Sequence, residues 1–349
     1  MRPYLPQQQL LSSDIGLFYR ELTPIATKVI TLKKNNMKKL FLFLLLPFHA
    51  ILWSQSFELV PLGVYGGGDE SNLSAYLIGE PGKNAFLALD AGTLRSGIQV
   101  AIANQTFTAT EAVVLKSYIK GYFISHGHLD HLAGLIINSP DDSKKNIYAM
   151  DYVIDIFKKY YFTNGPWSNF ANEGASPVLN KYTYKKLDTQ TKQKIENTGL
   201  QIEAFELSHG DFSKSSAVLV ENNVGAVVLY LGDTGADRIE KSDNLARLWK
   251  NTAPLLQSKK LKTILIEVSF PNSQPENALY GHLTPKLLVE ELQVLESYAG
   301  KGSLDRFKVI ITHLKPGGDQ IETIKKELEE NNPLGLDYIF PKQGERLLF

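Results

Sequence analysis

The chain has 349 residues, enough for one large domain or two ordinary ones, and its 37 lysines and arginines balance its 37 aspartates and glutamates. That balance supplies no basic field for nucleic acid or for an anionic membrane surface. There is no cysteine, which excludes disulfides, thiolate metal sites, a cysteine nucleophile and a lipid-modified cysteine.

Met37-Lys38-Lys39 opens a short basic segment, Leu40 to Trp53 is apolar apart from His49, and Ser54, Gln55 and Ser56 follow. This is the pattern of a secretory signal peptide over residues 37–56, with an apolar run shorter than the roughly twenty residues of a membrane span. Residues 1–36 read as an extension, a misassigned start if translation begins at Met37. Residues 57–349 read as a single domain, and the expected location is periplasmic or secreted.

From Phe57 onward, short apolar runs alternate with helical patterns, which points to an α/β domain. Strands are expected at 58–62, 74–78, 85–89, 121–125, 202–206, 217–221, 227–231, 263–267 and 308–312. Helices are expected at 110–120, 152–161, 243–257, 284–297 and 321–331. Thr284-Pro285 supplies an N-cap with a first-turn proline, and Asp319 with Glu322 resembles a capping box. Gly66-Gly67-Gly68 lacks the Lys-Ser/Thr ending and the following helix of a phosphate loop, so a hairpin turn is expected there.

The densest chemistry is Ser125-His126-Gly127-His128-Leu129-Asp130-His131, which holds three of the seven histidines. Tyr122-Phe123-Ile124 before it reads as the end of a buried strand, and Leu132 to Ile136 after it can start a helix. Two residues apart, His126 and His128 reach one side; Asp130 and His131 diverge toward a second site. Ligands on such a strand-to-helix loop commonly hold a catalytic metal. His209, Asp233 and His313 each follow a strand, which directs them to one edge of a layered sheet. Asp90 ends another strand, where it either caps a turn or accepts a hydrogen bond from a metal-bound histidine.

The HxHxDH run, followed by His209, Asp233 and His313 and preceded by Asp90, resembles the ligand order of the metallo-β-lactamase superfamily. That resemblance implies a four-layer αββα sandwich. It implies His126, His128 and His209 on one cation, Asp130, His131 and His313 on another, Asp233 bridging, and Asp90 behind a ligand. Ile137-Asn138-Ser139-Pro140, Gly281-His282-Leu283-Thr284-Pro285, Thr312-His313-Leu314-Lys315-Pro316 and Pro341-Lys342-Gln343-Gly344 narrow the match. Together they resemble the class II cyclic-nucleotide phosphodiesterases.

The family resemblance implies hydrolysis of 3′,5′-cyclic AMP, and in some members cyclic GMP, to the 5′-nucleotide by a metal-bridging hydroxide. Two divalent cations are expected, zinc first, although these ligand types also suit manganese and iron. His282 falls outside the ligand set and is the expected proton donor to the departing 3′ oxygen, oriented by Glu267; Asp130 joins them as a catalytic residue. The pair is similar to the Glu and His of tRNase Z. The partner is a small cyclic nucleotide, with neither nucleic acid nor membrane expected after signal cleavage, and a homodimer is allowed. The competing functions are another hydrolase of the superfamily (RNA 3′ end, lactone, thioester or lactam) and a nucleotide-binding module without turnover. The aromatic insert at 160–174 is either a wall for the purine or the apolar underside of a surface loop.

Overall fold

The computed structural model describes residues 55–210 and 213–349. The extension and nearly all of the signal segment, through Ser54, lie outside the described residues. In chain order the strands are β1 (Glu58–Gly63), β2 (Ala75–Gly79), β3 (Phe86–Leu89), β4 (Ile119–Ile124), β5 (Lys145–Met150) and β6 (Tyr182–Leu187). There follow β7 (Lys192–Lys194), β8 (Leu200–His209), β9 (Ser213–Asn222), β10 (Val227–Leu231), β11 (Leu261–Glu267), β12 (Lys308–Thr312), β13 (Asp337–Ile339) and β14 (Leu347–Leu348). They form two seven-stranded sheets, β14-β1-β2-β3-β4-β5-β6 and β13-β12-β11-β10-β9-β8-β7.

The period-two alternation of a strand explains why two sheets stack here. In the second sheet Val228, Tyr230, Leu265 and Ile310 face the core shared with the first sheet. Their neighbours Val227, Leu229, Ile264, Ile266, Val309 and Ile311 face the opposite way, into a second core. Both faces are covered, so these strands read as unbroken apolar runs. Helices Asn244–Gln257, Pro285–Ala299 and Gln320–Glu330 close that second core through residues such as Trp249, Leu292 and Ile324. Helices Arg95–Ala103 and Leu129–Asn138 add Ile98, Leu132 and Leu135 to the first. The order is helix, sheet, sheet, helix, the sandwich implied by the motif.

All nine expected strands form, with ends shifted by a few residues in most. The sequence reading did not anticipate β5 and β6, or the short edge strands β7, β13 and β14. Lys145 buries its ammonium beside Asp142, and Lys185 and Lys186 pair with carboxylates at the surface, so neither β5 nor β6 has a clean apolar pattern. Helix Arg95–Ala103 was also missed; its N-cap, Leu94, makes no side-chain bond to announce it. The helix expected at 110–120 is cut short. Thr110 caps Glu111–Val113, a wide π-turn spans Val114–Tyr118, and β4 starts at once with Ile119. The Thr284 hydroxyl caps its helix through Leu287 N–H, whereas Asp319 makes no cap bond and Glu322 pairs with Lys325 instead. Gly66 to Gly68 lie in the connection between antiparallel β1 and β2, as a hairpin requires. Among the described residues no helix is long and apolar enough to cross a membrane.

Strand direction places the chemistry. β3 and β4 run parallel, β10, β11 and β12 run parallel, and β8 is antiparallel to β9, itself antiparallel to β10. Asp90, the 125–131 segment, His209, Asp233, Glu267 and His313 stand at or just beyond the C-terminal ends of β3, β4, β8, β10, β11 and β12 respectively.

Candidate metal centre

Three overlapping groups of ligating atoms form at that edge. They are His126, His128, His209 and Asp233; Asp130, His131 and His313; and Asp233, His282 and His313, with the atoms of each group within 4.8 Å of one another. Asp233 is the hinge between them. Its Oδ1 lies 3.2 Å from His131 Nε2, and its Oδ2 lies 3.2 Å from His313 Nε2 and 3.7 Å from both His126 Nε2 and His209 Nε2. Every ligand-type residue singled out from the sequence is therefore in one place.

Each imidazole is fixed by its rear nitrogen. Ser125 Oγ donates to Asp90 Oδ2 at 2.7 Å, so it accepts from His126 Nδ1 at 3.0 Å. His131 Nδ1 donates to Asp90 Oδ2 at 2.7 Å, and His209 Nδ1 to the Gly281 carbonyl at 2.9 Å. Ser269 Oγ donates to Glu267 Oε2 at 2.7 Å and accepts from His313 Nδ1 at 2.9 Å. These four rings therefore turn the lone pair of Nε2 toward Asp233. His128 is reversed: Nε2 meets Ser213 Oγ at 3.2 Å, and Nδ1 faces the cluster. Anchoring the rear nitrogen in this way fixes tautomer and orientation for metal binding.

Two observations test whether cations fit. His126 Nε2 is buried and makes no hydrogen bond. His128 Nδ1 and His209 Nε2 face each other at 3.2 Å, close enough for both to turn onto one cation. The electrostatics agree. Burial pushes His126 and His128 down and His209 to about 4, so all three are neutral at pH 7, as ligands must be. Burial would raise Asp130 and Asp233, but His131 leads the facing imidazoles that outweigh it and hold both carboxylates well below their usual range. Burial would lower His131, yet Asp233, Asp90 and Asp130 raise it well above the ordinary histidine value. Neutral His126, His128 and His209 beside ionised carboxylates suit a divalent metal, and a cation would take the place of the proton that those carboxylates draw onto His131.

Asp90 is the orienting group, not a turn cap. It is fully buried and accepts from Ser125 N–H at 2.7 Å, Ser125 Oγ, His131 and Tyr230 Oη at 2.6 Å. Its φ of 56° lies in the left-handed region, which aspartate tolerates better than most residues. Glu267, equally buried, accepts from His282 Nδ1 at 2.8 Å, Thr234 N–H at 3.1 Å and Ser269 Oγ. One carboxylate thus orients His282 directly and His313 through a serine.

Several contributors escaped the sequence reading. Ser125 and Ser269 were not singled out, although each adjoins or nearly adjoins a residue that was. Gly66 presses on His313: a Cβ there would lie 2.2 Å from the ring. Lys315 sits over the Phe270 ring at 5.4 Å, Phe270 stands edge-on to His282 at 5.8 Å, and the Lys315 charge opposes protonation of His282. The aromatic insert follows its second alternative. Phe162 is buried and stacks on Phe157 and Tyr182, and Trp167 Nε1 donates to Ser139 Oγ at 2.9 Å. Tyr161 reaches the motif, donating to the Gly127 carbonyl at 2.8 Å.

Comparison with known proteins agrees with this geometry. A family model described as cAMP phosphodiesterases class-II matches residues 57–344. A 3′,5′-cyclic-nucleotide phosphodiesterase of Aliivibrio fischeri is 42% identical over 330 residues, spanning 90% of this chain and 99% of that one. A probable 3′,5′-cyclic-nucleotide phosphodiesterase of Yersinia pestis is 38% identical over 331 residues, spanning 90% and 96%. Among solved structures, unliganded yeast PDE1 superposes with a TM-score of 0.74 at 24% identity, over 84% of this chain and 100% of its own. The metallo-β-lactamase fold protein YhfI of Bacillus subtilis does so at 0.57 and 16%, over 85% and 100%. The two structures establish a shared fold, and the sequence matches reach further: this chain belongs to the class II cAMP phosphodiesterases.

Proposed function

We propose that the protein hydrolyses 3′,5′-cyclic AMP, with cyclic GMP as a second substrate, to the 5′-nucleotide. The carrying observation is the convergence of the histidine and aspartate cluster with the Glu267–His282 pair at one sheet edge. The names of the relatives from Aliivibrio fischeri and Yersinia pestis support the same substrate class.

Two cations, zinc by first choice, would be held by His126, His128 and His209 on one side and Asp130, His131 and His313 on the other, with Asp233 shared. When bound, such ions neutralise the charge of a phosphodiester and make a water molecule acidic enough to attack it at neutral pH. The protein's own groups do the rest. Asp130, whose side chain is 22% exposed and which stays ionised, would orient the attacking water by accepting a hydrogen bond from it. His282 gives its proton to the 3′ oxygen as the P–O3′ bond breaks. Burial disfavours its charged form, but the Glu267 carboxylate outweighs that and raises it above the ordinary histidine value. With Nδ1 held by Glu267, Nε2 is the nitrogen left for transfer.

Product analysis with cyclic AMP and cyclic GMP, alongside elemental analysis of the protein, tests this reading. The expected product is the 5′-nucleotide. A metal-loaded protein that leaves both substrates intact, or that acts only on lactams, lactones, thioesters or RNA ends, overturns it. Export belongs to the same reading, supported by the basic, apolar and small-residue order of residues 37–56. Recovery from the periplasm or medium with an N-terminus just before Phe57 is the expected result.

A further inference from the structure

The metal-binding set leaves one neighbouring feature unexplained. A groove of ≈ 520 Å³ opens directly from His128 and His209, with Ser213 beside His128, and its walls carry Ile239, Lys241, Asn277 and Tyr280. The short helix Asp237–Glu240 forms one wall, and the turn from Glu276 to Gly281 forms the other. Arg238 ties the two together with hydrogen bonds of 3.0 and 2.8 Å to Glu276. Gly210 N–H donates to Glu240 Oε2 at 2.8 Å and holds the floor to the first wall. Walls braced by a two-pronged guanidinium–carboxylate bond keep their spacing without a ligand.

Tyr280 is the residue that folding alone does not account for. Its φ is 53°, and Gly281 follows at 79°. The backbone turn serves His209. The Gly281 carbonyl accepts from His209 Nδ1, and a Cβ on Gly281 would come within 2.3 Å of Gly210 N. Nothing in that turn requires a tyrosine. Glycine or asparagine adopts a left-handed backbone more readily than a bulky side chain does. Tyr280, 74% exposed as a residue, adds little to any core. Asn277 is exposed on the same wall, and its side chain makes no hydrogen bond among the described residues.

We propose that this groove is the base subsite, with Tyr280 as the stacking face for a purine and the Asn277 amide reading its edge. The inference rests on the cyclic-nucleotide reading above and deepens it. A cyclic nucleotide is a compact anion joined to a flat heteroaromatic ring. With the phosphate at the cluster, the base needs an adjoining slot, and this groove begins at two of the cluster's own histidines. Aromatic stacking accepts any base, whereas an amide offers the paired donor and acceptor that match an adenine edge. The groove, rather than the insert at 160–174, then receives the base.

The test is steady-state kinetics of the metal-loaded protein on cyclic AMP, cyclic GMP and a base-free ester, methyl p-nitrophenyl phosphate. Tyr280→Asn is expected to raise KM for cyclic AMP about tenfold, the size of one base–aromatic stack. Its loss on the base-free ester is expected to be far smaller, and Tyr280→Phe is expected to rescue cyclic AMP. Asparagine suits the left-handed backbone, so an unchanged or raised melting temperature separates lost stacking from lost fold. Asn277→Ala is expected to change the ratio of cyclic AMP to cyclic GMP turnover. An unaltered KM in Tyr280→Asn, or equal losses on cyclic AMP and the base-free ester, overturns the subsite. Wild-type protein that cleaves the base-free ester but neither cyclic nucleotide removes the parent reading and the subsite together.

Discussion

Two carboxylate–imidazole pairs stand on opposite sheets of the molecule. Asp90, at the end of β3, accepts from His131 Nδ1 at 2.7 Å; Glu267, at the end of β11, accepts from His282 Nδ1 at 2.8 Å. Both carboxylates are buried, both accept further bonds from a serine hydroxyl, and carboxylates raise both imidazoles against burial: Asp233 and then Asp90 for His131, Glu267 for His282. What differs is the surroundings of the second nitrogen. His131 Nε2 meets Asp233 at 3.2 Å and Asp130 at 3.9 Å, so carboxylates flank the ring at both ends and a cation belongs between. His282 lies beside the Phe270 ring, and the Lys315 charge acts against its own. The same anchor therefore serves a ligand in one pair and a proton donor in the other. The His313 ring lies between them, stacked on His131 at 5.0 Å and on His282 at 5.1 Å.

The contrast breaks most completely if the ligand half is removed. Chelation or His128→Ala is expected to lower cyclic AMP turnover about a thousandfold or more, with cations lost from the purified protein by elemental analysis. His282→Ala comes next. It is expected to cost about 10²- to 10⁴-fold in kcat while the cation content stays that of the wild type. The deficit should shrink on a p-nitrophenyl ester, whose leaving group needs no proton; an equal deficit on both substrates would show that His282 is a ligand after all.

Smaller changes sharpen the comparison. Asp90→Asn is expected to weaken cation affinity about 10- to 100-fold, seen by titration with a chelating indicator, because it loosens His131 without deleting a ligand. Glu267→Gln is expected to act on the pH profile. Turnover that needs protonated His282 falls as pH rises through its pKa, and Glu267 is the group that raises that pKa. Removing the carboxylate charge moves the falling limb to lower pH. A limb that stays in place would detach Glu267 from the proton donor.

The two pairs also differ in how readily the sequence disclosed them. His131 lies in a seven-residue stretch that carries three histidines, so its chemistry is local and needs no fold to be seen. His209, Asp233 and His313 are single residues, legible only because each follows a strand and strand ends gather at one edge. Glu267 and His282 were separable from ordinary loop residues only through family resemblance. The serine links were not legible at all. Ser125 and Ser269 owe their roles to contacts with Asp90 across 35 positions and with His313 across 44. The same limit applies to β5, whose Lys145 looks like a surface residue until Asp142 is found beside it. The aromatic run at 160–174 left two alternatives open for the opposite reason, since composition does not say which face of a ring is covered.

The cluster takes its donors from both halves of the sandwich, with the 126–131 loop leaving β4 in one sheet and His209, Asp233 and His313 belonging to the other. Tyr230 Oη donating to Asp90, Ser216 Oγ donating to the Ser125 carbonyl and Tyr152 Oη donating to the Ser215 carbonyl already join the two halves near this edge. An ion seated there acts as a rivet through two plates. By mass action, a ligand at a thousand times its dissociation constant adds about 4 kcal/mol to the folded state. Stripping the ions is thus expected to loosen the seam between the plates as well as silence the chemistry, and hydrogen exchange should quicken first along that seam.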